Sequence, residues 1–212
     1  MIFTDFLKYI PKIVKESLIG EEAHLKMSPP ERINFIKKID PTNFNPKKAA
    51  VLMLFYPKIS KTHLVLIVRN TYPGVHSSQI GFPGGKVEAY DESLEGTALR
   101  EAHEEIGITP DKITVLKAFS ELYIPPSNFS VAPFLGYSSE ELVFVPDNRE
   151  VFGIIELDLD DFLNEANLSS QKMETSYMKE VEIPVFKFGE HIVWGATAMM
   201  LSELKEVLNK VR

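Results

Sequence analysis

Apolar residues change period several times along the chain, and each change predicts an element. Phe3, Phe6, Leu7, Ile10, Ile13 and Val14 recur at helical spacing, which predicts an amphipathic helix, kinked or restarted at Pro11, that packs on the domain or on a partner subunit. Ser28-Pro29-Pro30-Glu31 is a helix-start signal, with proline in the first turn, so a second short helix is expected from residue 31. Residues 40–46, punctuated by Pro41 and Pro46, read as a linker. Apolar, β-branched runs at 49–56 and 63–69 predict two strands joined by a loop. Further strands are expected at 112–122, at 129–137 with an interruption at Pro133, at 142–145, at 150–157 and at 182–188. Residues 164–179 are polar and without period, and predict a mobile loop. From His191 a terminal helix is expected, with Ala198, Leu201, Leu204, Leu208 and Val211 on one face. Strands of mixed spacing with two long helices give an α/β sandwich. The natural division is an N-terminal helical extension, 1–46, and a main domain, 47–212.

The densest chemistry lies in residues 84–108. Read as a helix over 91–106, this segment places Leu94, Ala98, Ala102 and Ile106 on one apolar stripe at four-residue steps. Glu101, Glu104 and Glu105 then fall within an arc of about 100° beside the stripe. Like charges at that spacing destabilise a helix by a few tenths of a kcal/mol per pair unless something neutralises them. Mg²⁺ or Mn²⁺ would reverse that sign, because both prefer carboxylate oxygens and bind together with substrate phosphates. The plain alternative is a solvated acidic face. The preceding Phe82-Pro83-Gly84-Gly85 favours the metal, since two glycines let backbone approach a ligand closely. A second acidic run, Asp158, Asp160 and Asp161, is explained by the dipole of a helix start without a metal.

Composition narrows the partners. Thirty acidic against 23 basic residues give a net charge of −7, which opposes bulk binding to nucleic acid or to an anionic membrane. There is no cysteine, so disulfides, thiol catalysis and thiolate metal sites are excluded. The first 20 residues lack a basic leader with an apolar core, and no apolar stretch approaches the ~20 residues that span a bilayer. A soluble, cytoplasmic protein is expected.

Read from Gly85 through Glu92, Arg100, Glu101, Ala102, Glu104, Glu105, Gly107 and Ile108, the segment resembles the signature of Nudix hydrolases, G-x5-E-x7-R-E-U-x-E-E-x-G-U with U apolar. Seven residues separate Glu92 from Arg100 as the signature has it, but six rather than five separate Gly85 from Glu92, a spacing typical of the coenzyme A diphosphatase branch. In that branch a motif resembling LLTxR-S/A-x3-R-x3-G-x3-FPGG precedes the glycines. Arg69, His76, Gln79 and Phe82 to Gly85 match it, while its second Arg is Gly74 here and its Gly is Ser78. Ser127, Val131, Pro133, Phe134 and Gly136 resemble a further family segment, and Trp194 to Ala198 resembles a WGATA segment of coenzyme A diphosphatases.

The resemblance implies the Nudix fold, an α/β/α sandwich with a mixed sheet. It implies Mg²⁺ or Mn²⁺ held by Glu101, Glu104 and Glu105, with the Gly85 carbonyl a further candidate, and Arg100 orienting one of the glutamates by a bidentate contact. Glu92 is then structural or supports the ligands from behind, and the general base is left open among Glu104, Glu105 and a carboxylate of the 164–179 segment such as Glu174. Substrate contacts fall to Arg69, His76, Gln79, Phe82 and Lys86. Cleavage of a nucleoside diphosphate linked to another group is implied, coenzyme A or an acyl derivative first, giving 3′,5′-ADP and a 4′-phosphopantetheine product. ADP-ribose, a dinucleotide polyphosphate or a nucleoside triphosphate are the alternative substrates, and a non-catalytic ligand sensor is a third reading. Homodimerisation is expected at the family level.

Overall fold

The strand β1 (Lys47–Lys58) lies at the centre of the architecture because both of its faces are apolar. Ala49, Val51, Met53 and Phe55 enter one core, and Ala50, Leu52, Leu54 and Tyr56 the other. The protein is described as a computed structural model, covering residues 1–30, 32, 36, 44–70, 79–173 and 180–212. β1 pairs antiparallel with β2 (Lys61–Arg69) and with β4 (Gly84–Lys86), and parallel with β7 (Phe129–Tyr137). β3 (Ile80–Gly81) and β8 (Val151–Asp158) join β2, while β5 (Thr114–Ala118) and β6 (Leu122–Ile124) join β7. The result is a mixed sheet with helices on both faces.

One face is covered by α3 (Leu94–Ile106), whose Ala98, Ala102 and Ile106 are fully buried. The other is covered by α1 (Phe3–Lys15) and α5 (Gly195–Val211), with the short α2 (Glu21–Leu25) against α5. A second sheet holds β9 (Leu168–Met173), β10 (Val181–Phe188) and β11 (His191–Val193), and α4 (Leu159–Leu163) follows β8. Among the described residues no helix is long and apolar enough to cross a membrane.

Several expectations need correction. α1 runs through Pro11 without restarting, because Phe3, Phe6 and Ile13 on its inner face are buried in the main core and offset the lost backbone bond. The strand over 129–137 is not interrupted at Pro133. That residue lies where the neighbour of β7 changes from β6 to β5, its carbonyl accepts from the Phe119 N–H at 2.7 Å, and its missing N–H costs no ladder bond. The single strand expected at 112–122 is split into β5 and β6. Residues 142–145 form no strand. In the segment expected to be a mobile loop, 164–167 make a capped turn and 168–173 pair with β10, so main-chain bonding to β10 orders a stretch whose side chains carry no pattern. The terminal helix starts at Gly195, after β11. The helix expected from residue 31 lies largely outside the described residues.

Candidate active site

Two adjacent glycines fix the entrance to the site, and they do so differently. Gly84 has φ +152°, and a Cβ there would meet the Ala50 carbonyl oxygen at 2.4 Å and Val51 Cα at 2.6 Å, so only glycine lets β4 lie against β1. A Cβ on Gly85 would instead meet the Glu101 carboxylate at 2.5 Å. The glycine turn is therefore in van der Waals contact with α3.

α3 is capped at one end by the Ser93 hydroxyl, which accepts from the Gly96 N–H at 3.0 Å, and at the other by Gly107 at φ +74°. Between the caps, the three expected glutamates have three different environments. Glu105 has a side chain 1% exposed; its Oε2 accepts from the Gly84 N–H at 2.8 Å, and its Oε1 stands 3.3 Å from Arg69 Nη1 without a hydrogen bond. Burial pushes its pKa up to about 7, against the pull of Arg69 and of the Gly84 N–H, with the charges of Glu101 and Glu150 adding to the rise. Glu101 is half-buried and also raised, by burial first, in spite of Arg100. Glu104 is 54% exposed and points to Arg100 Nη1 at 2.8 Å.

Arg100 reaches two glutamates of the cluster, but by single contacts. Its two-point contact goes to Asp91, Nε to Oδ1 at 2.8 Å and Nη2 to Oδ2 at 2.9 Å, while Nη1 serves Glu101 and Glu104 and Nη2 also meets the Lys86 carbonyl. Asp91 also accepts from the Glu88 N–H and the Thr97 hydroxyl, each at 2.9 Å. Five residues separate Gly85 from Asp91, so the signature's five-residue count was a signal that pointed to Asp91, and Glu92 is exposed. Glu150 was also missed. Its carbonyl accepts from the Asn70 N–H at 2.8 Å, next to Arg69, and the Asp147 N–H of the same turn donates to the Glu105 carbonyl at 3.0 Å.

Arg69 braces the turn from β2, donating from Nη2 to the Gly84 carbonyl at 2.7 Å. A cleft of about 340 Å³ opens here and gathers Arg69, Gln79, Phe82 and Lys86, expected as substrate contacts, with Gly85, expected as a metal ligand through its carbonyl. Phe82 is almost wholly buried and forms wall rather than surface. Lys86 is exposed, with Nζ 3.0 Å from Glu88. His76 and Glu174 lie outside the described residues, as do Gly74 and Ser78. Ser127, Val131 and Trp194 line the same cleft, and so do Pro29, Arg32, Met199 and Met200, which carried no signal in the sequence.

The donor set suits a hard divalent cation in part. Glu101 and Glu105 are desolvated carboxylates against the Gly84-Gly85 backbone, and the buried Glu105 Oε1 has an acceptor site to spare. Among the described residues no three acidic or histidine side chains stand together as ready ligands, because Glu104 is turned to Arg100.

A mixed sheet between helical layers, with a carboxylate-bearing helix docked on a glycine turn beside a cleft, defines an α/β sandwich with one acidic site. A family model of the NUDIX domain matches residues 45–175. Nudix hydrolase 22, chloroplastic, of Arabidopsis thaliana is 32% identical over 175 residues, covering 80% of this chain and 58% of the relative. An uncharacterized Nudix hydrolase, NudL, of Pectobacterium atrosepticum is 30% identical over 162 residues, covering 74% of this chain and 81% of the relative. The crystal structure of a Nudix hydrolase from M. smegmatis, RenU, shares the fold with a TM-score of 0.54 at 19% identity, over 79% of this chain and 88% of that one. The chain belongs to the Nudix hydrolase family.

Proposed function

We propose that the chain hydrolyses a diphosphate linkage with the help of Mg²⁺ or Mn²⁺, and that coenzyme A or an acyl-coenzyme A is its preferred substrate, giving 3′,5′-ADP and a 4′-phosphopantetheine product. The observation that carries the reading is the pairing of buried Glu105 and half-buried Glu101 with the Gly84-Gly85 turn, at a cleft that also presents Arg69, Gln79 and Lys86. Glu101, Glu105 and the Gly85 carbonyl would hold the cation, and Glu104 would complete the set on leaving Arg100. When bound, the cation neutralises diphosphate oxygens and lowers the pKa of an attacking water. Arg100, anchored by Asp91, fixes the carboxylate face of α3. Arg69 holds the turn and offers charge to the substrate. The proton acceptor is one of exposed Glu104, buried Glu105 and a carboxylate of the 164–179 segment such as Glu174, and the pH profiles of Glu104→Gln, Glu105→Gln and Glu174→Gln separate them.

The motif match at Arg69, Gln79, Phe82, Gly84 and Gly85, together with Trp194 in the cleft wall, supports coenzyme A. The departures at Gly74 and Ser78 favour the second reading, ADP-ribose, a dinucleotide polyphosphate or a nucleoside triphosphate. A substrate panel with Mn²⁺ and product mass analysis decides: 3′,5′-ADP from coenzyme A is expected. Turnover of ADP-ribose alone overturns the preference, and ligand binding without any turnover overturns the enzyme. The cytoplasm as location and a homodimer as assembly belong to the same proposal.

A further inference from the structure

The cleft contains more than a diphosphate can use. Leu122, Ile124, Val131, Met199 and Met200 line it beside the polar groups of the glycine turn, and they offer nothing to phosphate or ribose. Part of this lining comes from outside the matched residues 45–175: Pro29 and Arg32 on the N-terminal side, and the first turns of α5 on the other. Arg32 is 8% exposed and donates from Nη2 to the Tyr123 carbonyl at 2.8 Å, tying the N-terminal segment to the 122–127 stretch of the cleft. The ring of Phe44 meets Tyr123 edge-on at 4.8 Å, a second tie to the same stretch.

We propose that this apolar lining binds the acyl-bearing arm of the substrate, and that Arg32 is a positioning residue that sets the selectivity by fastening the N-terminal segment to Tyr123. The inference rests on the coenzyme A reading and deepens it: acyl-coenzyme A of medium chain length ranks above free coenzyme A. The extension is thereby part of the binding cleft. Each methylene that leaves water for such a wall is worth about fourfold in binding.

The test compares kcat/KM for coenzyme A, butanoyl-coenzyme A, octanoyl-coenzyme A and ADP-ribose, in the unaltered chain and in Arg32→Ala, Arg32→Lys and Met200→Gln. Calorimetry with S-octanoyl-4′-phosphopantetheine, which carries no nucleotide, measures the arm alone. The expected result is a preference of about tenfold or more for octanoyl-coenzyme A over coenzyme A, expressed in KM. Arg32→Ala and Met200→Gln should flatten that preference, and Arg32→Lys should restore part of it. A merely destabilised variant lowers coenzyme A and octanoyl-coenzyme A alike and leaves their ratio unchanged. Cleavage of coenzyme A with no dependence on chain length, or a ratio unmoved in both Arg32→Ala and Met200→Gln, overturns this inference and leaves the coenzyme A reading standing. Cleavage of ADP-ribose with no coenzyme A compound cleaved overturns both.

Discussion

Asp91 and Arg100 face each other through two parallel charged hydrogen bonds, at 2.8 and 2.9 Å, with the Asp91 side chain 4% exposed. Arg100 has two further carboxylates within reach, so the aspartate decides how much of the guanidinium is left for Glu101 and Glu104. Asp91→Asn replaces one acceptor with an amide that cannot accept from Nη2. It is expected to cost about 1.5–3 kcal/mol of stability and about 100-fold in turnover, because the freed guanidinium pulls the glutamates out of place. Glu92→Gln, at an exposed position, should stay within about 0.5 kcal/mol. The Arg100 bond holds the Asp91 carboxyl well below its ordinary pKa, so its contribution to stability is present above about pH 4 and is lost as pH falls further. Thermal melts between pH 3 and 7 check this: the aspartate's share of the acid loss should vanish in Asp91→Asn, and equal acid limbs in the two proteins would count against it.

β1, β2, β8, β10 and α3 were legible because their apolar runs or periods are strong; β1 is buried on both faces and reads as an unbroken apolar run. The glutamates of α3 were legible as a set, but their unequal burial was not, since spacing gives a helix face and not its depth in the fold. Asp91 was passed over in favour of its neighbour because Glu92 is the residue type that the signature names. β9 was invisible, as Ser169, Ser170 and Gln171 carry no apolar pattern and pair with β10 through main chain, helped by one side-chain bond from Ser170 to Glu182. Arg32 could not be assigned to the cleft because the partner that brings it there, Tyr123, is 91 residues away in sequence.

Gly84 and Gly85 separate fold from site. Alanine at Gly84 would place its Cβ 2.4 Å from a backbone oxygen of the central strand, in a conformation that side chains rarely adopt. The expected loss is about 3 kcal/mol or more, with soluble yield falling accordingly. The nearest atoms to a Cβ at Gly85 belong instead to the end of the Glu101 side chain, which can swing aside. Gly85→Ala should therefore melt within about 1 kcal/mol of the unaltered chain while its Mn²⁺ affinity drops. A Gly85→Ala protein with unchanged Mn²⁺ binding by titration would disconnect the glycine from the carboxylate site.

Glu105 makes the cation-free protein sensitive to pH around neutrality. Its folded pKa, about 7, lies above the ordinary value of 4.5, so its neutral form favours the fold. That contribution is fully present below about pH 4.5 and is lost as pH rises through 7. In chelator, the melting temperature should fall between pH 5.5 and 8, and Glu105→Gln should remove that fall. Added Mn²⁺, which needs the ionised carboxylate, should raise the melting temperature more at pH 8 than at pH 6. An identical pH slope in Glu105→Gln would show that the buried carboxylate is not its source.

Glu203 on α5 fastens the N-terminal segment to the domain by four contacts from three places in the chain. It accepts from the Gly20 N–H at 2.7 Å, from the Ser120 hydroxyl at 2.6 Å and from the Ser120 N–H at 3.2 Å, and it stands 3.3 Å from His24 Nε2. Its side chain is 1% exposed. Burial alone would raise its pKa, but the neighbouring His24 and the bonds from Ser120 and Gly20 outweigh burial and bring it below the ordinary value. Its share of stability is therefore kept at neutral pH and lost in acid. Glu203→Ala leaves the Gly20 and Ser120 N–H groups and the Ser120 hydroxyl without their acceptor and removes the carboxylate beside His24, at an expected cost of about 3–5 kcal/mol. The loss should be uneven: the apolar contacts of α1 with the core persist, while the stretch around Gly20 and His24 opens. Limited proteolysis should thus cut Glu203→Ala between residues 16 and 30 before it cuts the main sheet. Because that stretch leads directly to Pro29 and Arg32, KM should rise in the same variant with kcat little changed. Uniform digestion from both ends, with kcat and KM falling together, would mean that Glu203 stabilises the whole fold and has no particular hold on the cleft.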